Sequence, residues 1–310
     1  MESVAAEGDG GVPTAATPRA AVADDLVVDE ALVRTLLAEQ LPHLQDLPLR
    51  PVEHAGNDHH MLRLGDDLCV RLPAAPHAVP QTAKEQVWLP LLGPRLPLPV
   101  PAVRGVGRPS PRFPAPWTVL GWLAGQPAAV VGVEDPVALA EDLAAFLVAL
   151  RGVDPTGGPR PGPHSAFRGA PLDQGDDEVR ALLYRLHGRE RDRATGLWGD
   201  ALEARATDEP CWFHGDVSTH NLLVRDGRLV AVVDLGLAGV GDPACDTVLL
   251  WTRLHGAARD AYREGLALDE ATWARGRGWA LWKALVMLTN RPPGQAELAR
   301  HVLDELFAGV

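Results

Sequence analysis

The chain has 310 residues and a mass of 33.1 kDa, with 29 Lys and Arg against 41 Asp and Glu, a formal net charge of −12. That length suits a two-lobed domain or two domains with a sizeable core, while the excess of acid lacks the basic footprint that nucleic acid requires. No run of about 18 apolar residues exists to cross a membrane. Cys69, Cys211 and Cys245 lack the spacing of a disulfide scaffold or a zinc site, and Met1 to Gly11 lack the basic and apolar stretches of a secretory signal. A reduced, cytoplasmic protein is expected. The chain has no isoleucine, two lysines (Lys84, Lys283) and three asparagines (Asn57, Asn221, Asn290) among 31 Gly and 28 Pro. This bias of a GC-rich genome weakens propensity arguments and makes each remaining Lys and Asn worth attention.

In chain order, residues 1–23 are Ala, Gly, Pro and Thr with few large apolar side chains, which predicts a disordered tail. Asp29 can cap a helix whose Leu32, Val33, Leu36 and Leu37 recur at helical spacing. Met61–Leu64 and Leu68–Leu72 alternate about Gly65-Asp66-Asp67 and predict a hairpin. Thr82-Ala83-Lys84-Glu85 reads as a capping box opening a helix to about Leu92, and a strand pair is expected at 102–106 and 117–122. After Gly125 helices take over: one at 136–151 with Leu139, Leu143, Phe146, Leu147 and Leu150 on one face, a Pro/Gly-rich loop at 154–176, a helix marked by Val179, Leu182, Leu183 and Leu186, a buried one at 273–289, and a last one marked by Leu298, Val302, Leu303 and Leu306. The fold class is therefore α+β: a small antiparallel β-rich N-lobe with one helix (24–123), and a larger, mainly helical C-lobe (124–310).

One stretch carries chemistry, from Cys211 to Gly236: His214-Gly215-Asp216, Asn221 five residues on, an apolar hairpin around Asp226-Gly227, then Asp234-Leu235-Gly236. Asp-Gly between the two runs is a type I′ turn signal. With a two-residue loop, Arg225 faces Arg228, Asn221 lies opposite Val232, and Asp234 emerges at the same end of the ladder as Asn221 and Asp216. An amide and a carboxylate oxygen there suit a Mg²⁺ that takes its other ligands from water and phosphates, and Asp216 is left to orient a nucleophile.

The segment resembles the aminoglycoside phosphotransferase family, a branch of the protein-kinase-like fold, in its His-Gly-Asp-x-x-x-x-Asn loop and its Asp-x-Gly element. The likeness continues through Gly241-Asp242-Pro243-Ala244-Cys245-Asp246, through Arg63 to Pro73, and through Lys84-Glu85 with Trp88-Leu89-Pro90, roughly from 50 to 290. The resemblance implies the bilobal fold and an enzyme moving the γ-phosphate of ATP or GTP, with Mg²⁺, to a hydroxyl of a small-molecule acceptor. It implies Asp216 as the catalytic carboxylate, Asn221 and Asp234 as metal ligands, and His214 and Asp246 as supports of the loop. Where such folds place a phosphate-contacting lysine paired with a helix glutamate, this chain offers Arg71 and Glu85, with Lys84 as an alternative expected to point to solvent. Ala55–His60 sits where a phosphate-covering turn would lie, and Trp122 falls in the segment that meets the base. Asp242 is read as a structural acceptor. A metal site on the neighbouring His59 and His60 is disfavoured, since adjacent residues rarely chelate one ion.

For the acceptor, the charge of −12 and the acids at 173–178 and 304–305 suit a polycationic aminoglycoside, in resistance or self-protection. Trp198, Trp251, Trp273, Trp279 and Trp282 suit a macrolide. A metabolite such as a sugar, a choline-like compound or an amino-acid alcohol, or a non-catalytic nucleotide-binding relative, are further alternatives.

Overall fold

A computed structural model describes residues 27–52, 58–205, 209–289 and 294–308. The expected tail (1–23) and positions 55–57 of the phosphate-covering turn lie outside them. Helix α1 (Glu30–Gln40) opens at Asp29, whose carboxylate accepts the Leu32 N–H at 2.8 Å, and it turns Val33, Leu36 and Leu37 inward. Those residues face an antiparallel sheet built from β1 (Leu49–Pro51), β2 (His59–Leu64), β3 (Leu68–Pro73), β4 (Val103–Gly107) and β5 (Trp117–Gly121), in the order β1-β2-β3-β5-β4. Helix α2 (Ala78–Leu92) lies between β3 and β4 in sequence.

The α2 start corrects the expected capping box. The helix begins five residues earlier, at Ala78 rather than Ala83, with Pro80 in its first turn, where a missing N–H needs no intrahelical partner. Thr82 is inside the helix, its hydroxyl donating to Ala78 O at 3.1 Å.

Beyond β5 a short strand, β6 (Gln126–Pro127), and a single turn, α3 (Ala128–Val131), lead to α4 (Pro136–Arg151), which is capped by Asp135 and buries the five apolar residues named above. The stretch 154–176 holds two 3₁₀ turns, Pro163–Ser165 and Leu172–Gly175. Then come α5 (Asp176–Leu183), α6 (Gly188–Glu203), β7 (Cys211–Phe213), β8 (Leu222–Arg225), β9 (Arg228–Val232), β10 (Gly239–Gly241), α7 (Leu249–Thr252), α8 (Gly256–Leu266), α9 (Glu270–Thr289) and α10 (Gln295–Ala308). Two apolar cores result. The smaller joins α1 to the inner face of the sheet; the larger fills the helical lobe and takes in Leu89 and Leu92 of α2.

The β8–β9 hairpin has the expected turn, with positive φ at Asp226 (52°) and Gly227 (75°) and Arg225 opposite Arg228. Its register differs from a simple ladder. A bulge between Leu223 and Val224 leaves Val230 extra, so Leu222 faces Val232 and the Val233 N–H donates to Asn221 O at 2.9 Å. Asn221 therefore faces Val233 rather than Val232, next in sequence to Asp234. A bulge is set by side-chain packing on both faces, which alternation alone does not reveal.

On the far side, Asp242 follows β10 and accepts from the Ala244 N–H at 3.1 Å, and the Arg275 guanidinium of α9 grips it with Nε at 2.6 Å and Nη2 at 3.1 Å. Both side chains are almost fully buried. Removing one partner of such a pair strands a buried charge, so Arg275→Met is expected to cost about 3–5 kcal/mol. Urea unfolding measures this, and adding Asp242→Leu should recover most of the loss.

Candidate active site

The loop between β7 and β8 is shaped by its backbone. Gly215 has φ of +87°, and a Cβ there would lie 2.7 Å from Leu237 O, so the middle residue of His-Gly-Asp has no room for a side chain. The Asp246 carboxylate lies beneath the loop and accepts the N–H groups of His214 and Gly215, each at 2.8 Å. Burial raises the Asp246 pKa, against the pull of His214 and of those two donors. The His214 ring spans the loop: Nε2 faces Val233 O at 3.1 Å, and Nδ1 accepts the Asp216 N–H at 3.2 Å. That pairing makes Nε2 the protonated nitrogen. Asn221 donates from Nδ2 to Asp216 O at 2.9 Å and to Asp216 Oδ2 at 3.0 Å. Its amide oxygen is then the atom left to meet a cation.

Across the cleft, Arg71 of β3 is the centre of a buried charge cluster. Nη1 donates to Glu85 of α2, and Nη2 donates to Asp234 Oδ1 at 2.8 Å and faces His59 Nδ1 at 3.1 Å. Burial opposes the Arg71 charge, and the Glu85 and Asp234 carboxylates outweigh it, leaving the guanidinium more firmly protonated than in water. The surrounding protein likewise opposes ionisation of Asp234, but Arg71 prevails and holds its pKa below the usual carboxylate range. Burial first, and then the Arg71 charge, push His59 down to about 3, so it is a neutral acceptor at any ordinary pH.

Asp234 itself has φ of +61°, a left-handed conformation that costs about 1–3 kcal/mol for a non-glycine residue. Gly236 completes the element: a Cβ there would press to 3.2 Å from both Asp234 Oδ1 and Gln81 Oε1. The donor set fits a hard divalent cation, since Asn221 presents an amide oxygen and Asp234 a half-exposed carboxylate.

Lys84 corrects its expected place. It does not point to solvent: being inside α2, it reaches the other lobe, where Nζ donates to Ala238 O at 2.7 Å and meets His164 Nδ1 at 3.0 Å. Trp122 stands apart from these residues. The Arg63 guanidinium lies 4.0 Å above its ring, and the Trp122 backbone N–H donates to Asp67 O at 2.7 Å.

A cavity opens beside Asp216, lined also by Arg168, Val217, Cys245, Trp279, Trp282 and Lys283. Of these, the sequence reading singled out only Trp279 and Trp282, as possible pocket walls. Trp282 donates to Glu178 at 3.1 Å, and Asp176 is engaged by Arg180 and Trp198, so two of the acids in the 173–178 cluster already hold partners. Trp198, Trp251 and Trp273 are core. Arg168 and Lys283 were missed. Arg168 follows Ala166 (φ 46°) and Phe167 (φ 58°), two left-handed residues in succession, and precedes Gly169, where a Cβ would lie 2.1 Å from Phe213. Nothing in a Pro/Gly-rich loop announces that geometry. The one available signal for Lys283 was its rarity in a chain with two lysines.

A two-lobed fold with a five-stranded sheet, and a His-Gly-Asp loop facing an Asp-x-Gly element, define a kinase-like small-molecule phosphotransferase architecture. The sequence model of the phosphotransferase enzyme family matches residues 48–279, and the chain belongs to that family. Among solved structures, the GDP complex of aminoglycoside 2'-phosphotransferase-IIIa is similar with a TM-score of 0.71 at 18% identity, over 91% of this chain and 99% of that one. The macrolide 2'-phosphotransferase MphH from Brachybacterium faecium aligns with a TM-score of 0.60 at 26% identity, over 87% and 98%. An Escherichia coli aminoglycoside 3'-phosphotransferase is 40% identical over 47 residues, which is 15% of this chain and only 17% of that protein's length.

The Lys84 contact has a pH signature. Burial lowers its pKa from 10.5 to about 7, against the pull of Glu85 and Asp234. Between those values the unfolded chain binds the proton that the folded chain has released, so this residue's contribution to stability rises with pH across the window and is least favourable below it. The unfolding free energy of the unliganded wild type, relative to Lys84→Met, should therefore climb between about pH 7 and 10 in urea titrations. A flat or falling difference would place the amine in water.

Proposed function

We propose that the protein transfers the γ-phosphate of a Mg²⁺-bound nucleoside triphosphate, ATP or GTP, to a hydroxyl of a small molecule. The observation that carries this reading is the convergence of Asp216, Asn221 and Asp234: Asn221 bonds the Asp216 carboxylate and pairs through its backbone with Val233, the residue before Asp234. Asp216 accepts the proton of the attacking hydroxyl or orients it toward phosphorus. Asn221 and Asp234 would hold the metal, which would supply charge neutralisation for the phosphates. Little covalent work is required of the protein, so positioning and charge neutralisation supply most of the rate.

In this reading Arg71 takes the place of the strand lysine. It stays charged, Glu85 anchors one arm of its fork, and the fork's shape suits phosphate as well as carboxylate. His214 and Asp246 keep the Asp216 backbone in place. Residues 24–123 bind the nucleotide, with Trp122 on the base side, and 124–310 bind the acceptor. Similar structures are named as complexes of GDP, ATP and ADP, which supports a nucleotide in this cleft.

For the acceptor, the names of similar structures and the charge of −12 support an aminoglycoside-type antibiotic. The tryptophan walls next to Asp216 favour a second reading, a macrolide-like or metabolite alcohol, and they lie closer to the chemistry than the exposed acids do.

Asp216→Ala is expected to lower turnover on a verified acceptor by about 10²–10⁴, the range for a positioned base, with nucleotide affinity nearly unchanged. Asp234→Ala should abolish Mg²⁺-dependent nucleotide binding, and Arg71→Ala should raise the nucleotide KM well above any change in acceptor KM. A screen of ATP and GTP consumption over aminoglycosides, macrolides and small alcohols, followed by calorimetry on the variants, checks all three. Wild-type turnover by Asp216→Ala would remove Asp216 from the chemistry.

A further inference from the structure

The cavity beside Asp216 holds an unbalanced set of polar groups. Its charged lining consists of one carboxylate, Asp216, and two cations, Arg168 and Lys283. Among the described residues neither cation has a carboxylate within ion-pair distance. Within the same described residues Arg168 makes one hydrogen bond, from Nη1 to Ala166 O at 3.2 Å, and Lys283 makes none. Trp279, buried in the same wall, has an indole N–H with no partner among the described residues. The Arg168 guanidinium lies 4.2 Å over the Trp282 ring and 5.5 Å from that of Trp279, so its plane is oriented by packing. Trp279, Trp282 and Lys283 sit three and four residues apart on one face of α9, a rigid mount for the site. Glu178, which is not part of the lining, is exposed and already accepts from Trp282.

The unfilled groups are therefore donors, two of them charged, set in aromatic walls. Burial lowers the pKa of both Arg168 and Lys283 while Asp216 opposes that effect, as expected of cations held with too little counter-charge. A ligand that supplies an anion relieves this imbalance, whereas a polyamine adds like charge to it. A carboxylate also matches the fork of an arginine.

We infer that the acceptor is a hydroxyl compound carrying an acidic group, a carboxylate or a comparable anion, which Arg168 and Lys283 hold while the aromatic walls cover its apolar body and Asp216 meets its hydroxyl. This rests on the phosphotransfer reading above and narrows it, setting polycationic amino-sugars aside. The rival occupant for the two cations is the terminal phosphate of the nucleotide.

The test uses the full-length protein with Mg²⁺ and ATP. Mandelate and phenyllactate are each compared with their methyl ester and the corresponding amino alcohol, and kanamycin serves as the polycation. Calorimetry reads binding, and ADP release reads turnover. The acids should bind about tenfold or more tightly than their esters, with the amino alcohols and kanamycin weaker still. Lys283→Gln and Arg168→Gln should each bring acid and ester to about the same affinity while the dissociation constant for MgATP stays within about twofold. Esters or amines that bind as well as the acids overturn the inference on the wild type alone, whether or not the variants fold. A large loss of MgATP affinity in the variants with the acid preference intact overturns it in favour of the nucleotide phosphate. The two readings fail separately: acid-selective binding with no ADP release from any acceptor removes phosphotransfer alone, and turnover of kanamycin without acid preference removes the inference alone.

Discussion

A buried guanidinium positions much of this molecule. Arg71 leaves the sheet with its charge surrounded by protein, and that burial is tolerated only because Glu85, Asp234 and His59 converge on it from three other elements. Each partner constrains the next. Glu85 fixes the rotation of α2, Asp234 fixes where the hairpin ends, and His59 must remain neutral so that it can accept from the guanidinium through Nδ1 while its Nε2 meets the Thr82 hydroxyl at 3.2 Å. The departure from lysine has a geometric reason here. An arginine offers a planar set of donors wide enough to engage two carboxylates at once, and a single ammonium does not reach both in the same way.

The opposite wall depends on acceptors rather than on a cation. Asp246 holds two successive backbone N–H groups, His214 bridges from Val233 O to the Asp216 N–H, and the β8–β9 bulge brings Val233 opposite Asn221. The strain at Asp234 is supported by this frame: Asn221 binds the residue before it, and Arg71 holds its side chain. The two sides of the cleft are thus each braced from behind, by the partners of Arg71 on one and by Asp246 and His214 on the other.

Much of the arrangement was legible in the residues because it is local. Apolar spacing marked α1 and α4, Asp226-Gly227 marked the hairpin turn, and His-Gly-Asp with Asn221 and Asp-x-Gly marked one end of a ladder. The features that escaped are those made by distant chain segments. The Arg71–Asp234 bond joins residues 163 positions apart, the bulge is decided by packing on both faces of the hairpin, and Arg168 arrives through two left-handed residues that no propensity favours. The capping-box reading of Thr82 failed for a related reason. Its Thr-x-x-Glu pattern is real, but the helix had already begun at Ala78, and Glu85 serves Arg71 instead of the helix end.

Helix α2 belongs by sequence to the small lobe, yet it is fastened to the large one. Leu89 and Leu92 join the larger core, Trp88 packs with its ring centroid 4.9 Å from that of Trp212, and Lys84 donates to Ala238 O. The sheet reaches the same core through Cys69 of β3 and Leu120 of β5, so the two lobes meet through packed side chains as well as through the covalent connection near Gly121–Gln126. The same helix is tied to the sheet, by the Arg71–Glu85 pair and by Gln86 Nε2 donating to Trp117 O at 3.0 Å and to Thr118 Oγ1 at 2.9 Å, so it is a strut held at both ends.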